Sequence, residues 1–170
     1  MTKKIVITGG LGYIGTELCK IYSGVSWNNQ ILVIDNRFVS ERVNQLRSWN
    51  IDFIHGDILD KNLIDKYCKD ADIVHHLAGI TDVPRVKSES SDDQDSKIKL
   101  VAEEGTQNIL NAISNKCKII FPSTHVVFEG IEKVKNDILE NENTNPILSY
   151  AKSKDINEKQ LKDSKKNYVI

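Results

Sequence analysis

Thr8-Gly-Gly-Leu-Gly-Tyr-Ile-Gly15 is the stretch on which the reading of the whole chain turns. It follows residues 4–8, a short apolar, β-branched run that reads as a buried strand. It opens residues 11–22, where Leu11, Ile14, Leu18, Ile21 and Tyr22 recur at close to helical spacing. The glycines therefore sit in a turn that joins a strand to a helix. The first amides of a helix lack internal acceptors and its dipole is positive there, so such a junction favours an anion, for example a pyrophosphate. Gly9 would permit the tight turn, Gly12 a close approach of phosphates to the backbone, and Gly15 close packing of helix on strand. The next strand, residues 30–34, runs into Asp35, 26 residues after Gly9, where a carboxylate can accept both hydroxyls of an adenosine ribose. Strand, glycine turn, helix and acid in this order read as a dinucleotide site. The plainer alternative is a structural glycine turn followed by a surface Asp.

Working outward, strand-like runs recur at residues 4–8, 30–34, 51–55, 72–77 and 117–122, with helical segments between them. That alternation predicts an α/β fold, a doubly wound parallel sheet covered on both faces. Residues 39–49 and 61–68 read as short crossover helices. Residues 93–115 read as a longer one, with Ile98, Val101, Ile109, Leu110 and Ile113 near a helical stripe. The polar stretch 87–97 is expected to be a solvated loop and helix start rich in N-capping Ser and Asp. Residues 129–145 form a long polar loop after the fifth strand. Loops at the carboxyl ends of such strands carry ligands, so an active-site lip, mobile when empty, is expected there. Residues 149–163 read as another helix, and residues 167–170 begin a sixth strand where the sequence stops. The expectation is one domain over residues 1–170, cut short of a carboxyl-terminal lobe.

A length of 170 residues allows one domain with a real core and is short for two. The 23 Lys and Arg against 24 Asp and Glu leave a net charge of −1, which gives no reason to invoke nucleic acid or an acidic membrane surface. Cys19, Cys68 and Cys117 are isolated and odd in number, as small buried residues of a reducing compartment would be. No apolar run approaches the ~20 residues of a membrane span, and the chain enters its first strand without a secretory signal. A cytoplasmic location is expected. His75 and His76 are neighbours on a strand and point to opposite faces, so no shared metal is expected. His125 either lines a pocket beside Thr124 or is solvated. Trp27 and Trp49 are expected to cap the core.

Tyr150-Ala-Lys-Ser-Lys154 places two reactive side chains four residues apart, on one face of the predicted helix. A tyrosine is a poor base at neutral pH, but a neighbouring ammonium stabilises the phenolate and would allow proton exchange with a substrate hydroxyl. Alone, such a pair is usually surface; behind a dinucleotide site it reads as an acid/base pair.

With His76-Leu-Ala-Gly79, Gly105-Thr106 and Ser123-Thr-His-Val-Val-Phe128, these motifs stand in the order and spacing of the extended short-chain dehydrogenase/reductases. The chain resembles, from end to end, their NAD-dependent epimerase/dehydratase group, which works mainly on nucleotide sugars. The resemblance implies a Rossmann domain that binds NAD, with Tyr150 as acid/base, Lys154 holding the nicotinamide ribose and tuning Tyr150, and Thr124 donating a hydrogen bond to the reacting oxygen. It places Gly9, Gly12, Tyr13, Ile14, Gly15, Asp35 and Asn36 along the cofactor, Asp57 and Ile58 at the adenine, and Leu77, Ala78 and Gly79 beside the cofactor at the end of the fourth strand. It also implies a nucleotide-sugar substrate and a homodimer through helices 93–115 and 149–163. Arg37 could meet the 2′-phosphate of NADP, but the carboxylate of Asp35 would repel that phosphate, which favours NAD.

Three positions depart from the family pattern: Ala102 stands where members often carry Asn, Phe128 where Tyr is commoner, and Glu129 where Gly often follows. The family's carboxyl-terminal lobe, which completes the sheet and holds substrate, is not among these residues. Two other readings stay open. One is a dinucleotide-binding module without catalysis, and the other is an NAD-dependent reductase of a non-sugar carbonyl compound.

Overall fold

Lys4–Thr8 (β1) forms the centre of a six-stranded parallel sheet, because its alternating Ile5, Val6 and Ile7 bury side chains on both faces at once. The computed structural model describes residues 2–25, 29–81, 91–132 and 136–170, so Trp27 and the start of the 87–97 stretch lie outside the described residues. The other strands are Gln30–Asp35 (β2), Asp52–His55 (β3), Ile73–His76 (β4), Lys118–Ile120 (β5) and Asn167–Val169 (β6). Their order, β3-β2-β1-β4-β5-β6, is that of a dinucleotide-binding fold. The crevice where ligands bind in such sheets opens between β1 and β4, where the winding reverses. The strand expected at 167 is formed and pairs with β5 from Lys118↔Asn167 to Ile120↔Val169, so the six-strand order is reached within these residues.

Among the described residues six α-helices cover the sheet: Tyr13–Ser23 (α1), Ser40–Ser48 (α2), Lys61–Cys68 (α3), Asp92–Leu100 (α4), Thr106–Ala112 (α5) and Ser149–Asp163 (α6). Ile5, Ile7, Leu11, Val33, Val43 and Leu46 form the core on the α1 and α2 side, with Trp49 packed against it as expected. Val6, Ile34, Ile64, Val74, Ile109 and Leu161 form the core on the other side. Asp60 caps α3 by accepting from Leu63 N at 3.1 Å, and Ser91 caps α4 by accepting from Gln94 N at 3.3 Å.

Two expectations need correction. The first helix begins at Tyr13, not residue 11, because Leu11 is drawn into the core with its N–H on the Asp35 carboxylate. The long helix 93–115 is not one regular helix: α4 passes through a π-helical turn, Val101–Gly105, into α5, and Ile113 is already extended. The extra residue widens the helix where Gly105, lacking a side chain, lets Ile58 pack against it. Of the apolar stripe, Ile98, Ile109, Leu110 and Ile113 are buried as expected, and Val101 is partly buried against the same core.

His75 and His76 do face opposite sides of the sheet. His75 pairs with the Tyr22 hydroxyl at 2.7 Å, and His76 sits between Thr8 and Thr106. Cys19, Cys68 and Cys117 are free and buried, and burial pushes their thiols up to about 12, 12 and 11. Among the described residues there is no cluster able to hold a metal ion, and no helix is long and apolar enough to cross a membrane.

Candidate active site

The glycine turn is built from three different requirements. Gly9 adopts φ +71°, and a Cβ there would come within 2.7 Å of Ala78 N, so the turn can press against the end of β4 only with glycine. A Cβ on Gly15 would meet Gly10 Cα at 2.6 Å, which is how α1 packs tightly on the turn. Gly12, the N-cap of α1, is comparatively open, with Gly9 O at 3.0 Å and the end of the Arg37 side chain at 3.7 Å from a Cβ position. No side chain caps α1 and no acid stands in its first turn. The leading amides therefore have no internal acceptor and the site fits an anion. Tyr13 and Ile14 turn their side chains to solvent, 82% and 61% exposed, while their backbone N–H groups stand at the helix start.

Asp35 is nearly covered at 4% exposure rather than free on the surface. Its Oδ2 accepts the Leu11 N–H at 2.9 Å and its Oδ1 accepts the Arg37 N–H at 3.0 Å, so it anchors the glycine turn. Each oxygen keeps a lone pair for a further donor. The Arg37 guanidinium reaches the same carboxylate at 3.4 Å, and Arg42 donates to Leu11 O, so two cations flank the turn. Asn36 donates to Asp57 at 2.9 Å, which ties the ends of β2 and β3 together. Ile58 turns its side chain into the core against Gly105, and its carbonyl accepts from Asn108 at 3.0 Å. The Ile58 side chain is thus committed to the core, and its carbonyl to Asn108.

At the other end of the crevice, the Leu77 N–H donates to Thr8 O at 3.1 Å and holds the β4 turn against β1. A Cβ on Gly79 would meet nothing within 4 Å, so the floor there is open. Ala78, Gly79, Tyr150 and Lys154 line one cleft, and Thr124 stands outside its lining, on the turn after β5. The Lys154 ammonium donates to Pro122 O at 2.8 Å and lies 4.4 Å from the Phe121 ring centroid and 5.9 Å from that of Tyr150. Burial pushes its pKa down to about 8. The Thr124 oxygen accepts from Val126 N at 3.3 Å, which leaves its hydroxyl proton to donate outward.

A family model for the 3-beta hydroxysteroid dehydrogenase/isomerase family matches residues 6–169. The chain belongs to that family. Its membership of the 3-beta hydroxysteroid dehydrogenase/isomerase family agrees with the extended short-chain dehydrogenase/reductase motifs read from the sequence. Among curated relatives, CDP-paratose 2-epimerase of Salmonella typhi is 34% identical over 143 residues, covering 78% of this chain and 40% of that protein. Among solved structures, UDP-glucose 4-epimerase from Brucella ovis in complex with NAD has a TM-score of 0.78 at 28% identity, covering 98% of this chain and 50% of that one. UDP-N-acetylglucosamine 4-epimerase from Methanobrevibacter ruminantium M1, in complex with UDP-N-acetylmuramic acid, has a TM-score of 0.80 at 27% identity, covering 98% and 53%. The chain spans about half the length of the relatives it matches.

Against this family's pattern, the structure adds residues that the sequence reading did not single out. Asn157 donates to the backbone carbonyl of Ala102 at 2.8 Å. It lies seven residues after Tyr150 and three after Lys154, a same-face spacing that could have flagged it. Glu129 accepts the N–H groups of Ile147 at 2.7 Å and Leu148 at 2.6 Å, supplying from the lip the carboxylate that α6 lacks at its own start. Gly130 and Asn145 bond each other in both directions, and Thr144 donates to Asp155 at 2.6 Å, so both roots of the lip are fastened beside α6. Residues 133–135 of the lip lie outside the described residues.

Proposed function

We propose that this chain is the NAD-binding part of an epimerase or dehydratase acting on a nucleotide sugar. The observation that carries the reading is the joining of two features across β1 and β4: an uncapped helix start on a glycine turn, and a cleft lined by Gly79, Tyr150 and Lys154. The amides of Tyr13 and Ile14 hold the pyrophosphate, and Asp35 with Asn36 holds the adenosine ribose. Asp57 and the backbone of Ile58 meet the adenine, and Leu77, Ala78 and Gly79 lie under the nicotinamide half. The nearly buried carboxylate of Asp35, already paired with Arg37, disfavours the 2′-phosphate of NADP. When bound, NAD supplies the hydride acceptor. Tyr150 as phenolate takes the proton of the sugar hydroxyl while the C–H bond on the same carbon breaks, which leaves a ketone on the sugar; return of the proton from Tyr150 reverses the step. Lys154 binds the nicotinamide ribose and stabilises the phenolate, and Thr124 donates to the reacting oxygen.

The nucleotide-sugar class is supported by what the relatives' names state they act on. The chain is expected in the cytoplasm, in keeping with its free buried thiols, and as a homodimer through α4, α5 and α6, where Leu100 is exposed. With the family's substrate-holding lobe restored to the chain, incubation with NAD and a set of UDP-sugars, followed by the NADH absorbance, tests the chemistry. Reduction that disappears in Tyr150→Phe supports the reading, and reduction unchanged by that substitution contradicts it.

A further inference from the structure

A buried run of polar side chains links the glycine turn to α6. Thr8, the residue before Gly9, has its Oγ1 3.0 Å from His76 Nδ1. His76 Nε2 lies 2.9 Å from Thr106 Oγ1, and Thr106 accepts from Asn157 Nδ2 at 2.7 Å. The second proton of the Asn157 amide goes to Ala102 O at 2.8 Å, inside the widened turn. Three residues on, Gln160 donates to Glu103 O at 2.9 Å, so two amides of α6 clasp two consecutive carbonyls of that turn. Carbonyls of a regular helix point along its axis; widening tilts them outward, within reach of a neighbouring helix.

We infer that Asn157 is a positioning residue: its amide, fastened to the widened turn and to Thr106, sets the roll of α6 that aims Tyr150 and Lys154 into the cleft. The inference rests on reading those two as the working pair. Asn157 shares their helix face and lines the same cleft, yet is only 6% exposed, so its bonds are made in a setting where an unmade one is costly. The apolar anchoring of α6 is already provided by Ala151 and Leu161, neither of which prescribes a direction for hydrogen bonds. His76 at the middle of the run stays neutral, since burial and then the charge of Lys154 lower its pKa to about 3. A neutral imidazole between two hydroxyls holds both without adding a charge.

The test separates filling space from holding direction. Asn157→Leu keeps the volume and removes the amide. In ligand-free protein labelled with 13C at lysine Cε, NMR reads Lys154, whose surroundings are Pro122 O, the Phe121 and Tyr150 rings and neutral His76, while Asp155 is paired with Lys159. In folded Asn157→Leu the lysine titration is expected to move from about 8 toward 10.5, as α6 rolls and water reaches the ammonium. NAD affinity should fall about three- to thirty-fold. A folded Asn157→Leu in which Lys154 titrates as in the wild type overturns the inference. Should that variant not fold, Thr106→Val, which removes the hydroxyl holding Asn157, is read by the same two outcomes. Failure of the wild type to bind NAD would remove the functional reading, and the Lys154 titration would still decide the role of Asn157.

Discussion

Gly9 and Gly12 look alike in the sequence and differ in what they do. Alanine at Gly9 would have to hold φ +71° with its Cβ 2.7 Å from Ala78 N, whereas at Gly12 it would meet Gly9 O at 3.0 Å and the end of the Arg37 side chain at 3.7 Å. Gly9→Ala is expected to cost about 2 kcal/mol or more in urea unfolding. Gly12→Ala should cost under about 1 kcal/mol and still weaken NAD binding, because the methyl stands where phosphates approach. Lys154 carries a pH signature. Burial disfavours its ammonium, so the native pKa of about 8 lies below the unfolded value of 10.5. Below pH 8 the penalty is present in full, between 8 and 10.5 the unfolded chain holds more protons, and stability rises with pH over that window. Relative to Lys154→Met, the wild type should gain about 3 kcal/mol across it, read by urea unfolding at each pH. The glycines, Asp35, Tyr150 and Lys154 were legible as residues because each motif names a chemical role. The burial of Asp35 and the inward turn of Ile58 were not, since the first depends on the fold of the glycine turn and Arg37 over the carboxylate, and the second on the widened turn that Gly105 opens to Ile58.

Among the elements, α6 was readable to its limits, Ser149 to Asp163, because its charged face and apolar positions repeat regularly. The π-helical turn was hidden, since one extra residue between Ile98 and Ile109 leaves an apolar stripe that still reads as helical. The start of α6 depends on a distant residue, Glu129, whose carboxylate takes two N–H groups just ahead of Tyr150. Glu129→Ala should cost about 0.5–2 kcal/mol, the range for losing a helix cap. It should also weaken NAD binding by letting the first turn of α6 fray, which calorimetry of the variant would register. An unchanged melting temperature and affinity would show that the carboxylate is dispensable there.

For the whole molecule, the alternation of strands and helices was enough to give the doubly wound sheet, and the observed order β3-β2-β1-β4-β5-β6 puts the crevice between β1 and β4. What no local pattern revealed is the buried run from Thr8 through His76 and Thr106 to Asn157, because its members lie on four separate elements that only the folded chain brings together. The proposed pairing through α4, α5 and α6 predicts a dimer mass by light scattering, and a monomer at high protein concentration would refute it. The central claim, that the glycine turn and Asp35 receive NAD, is tested most directly by isothermal titration of the folded chain with the nucleotide. One binding event per chain with a dissociation constant below about 1 mM, weakened in Lys154→Ala, is the predicted result; no heat of binding at millimolar NAD would contradict it.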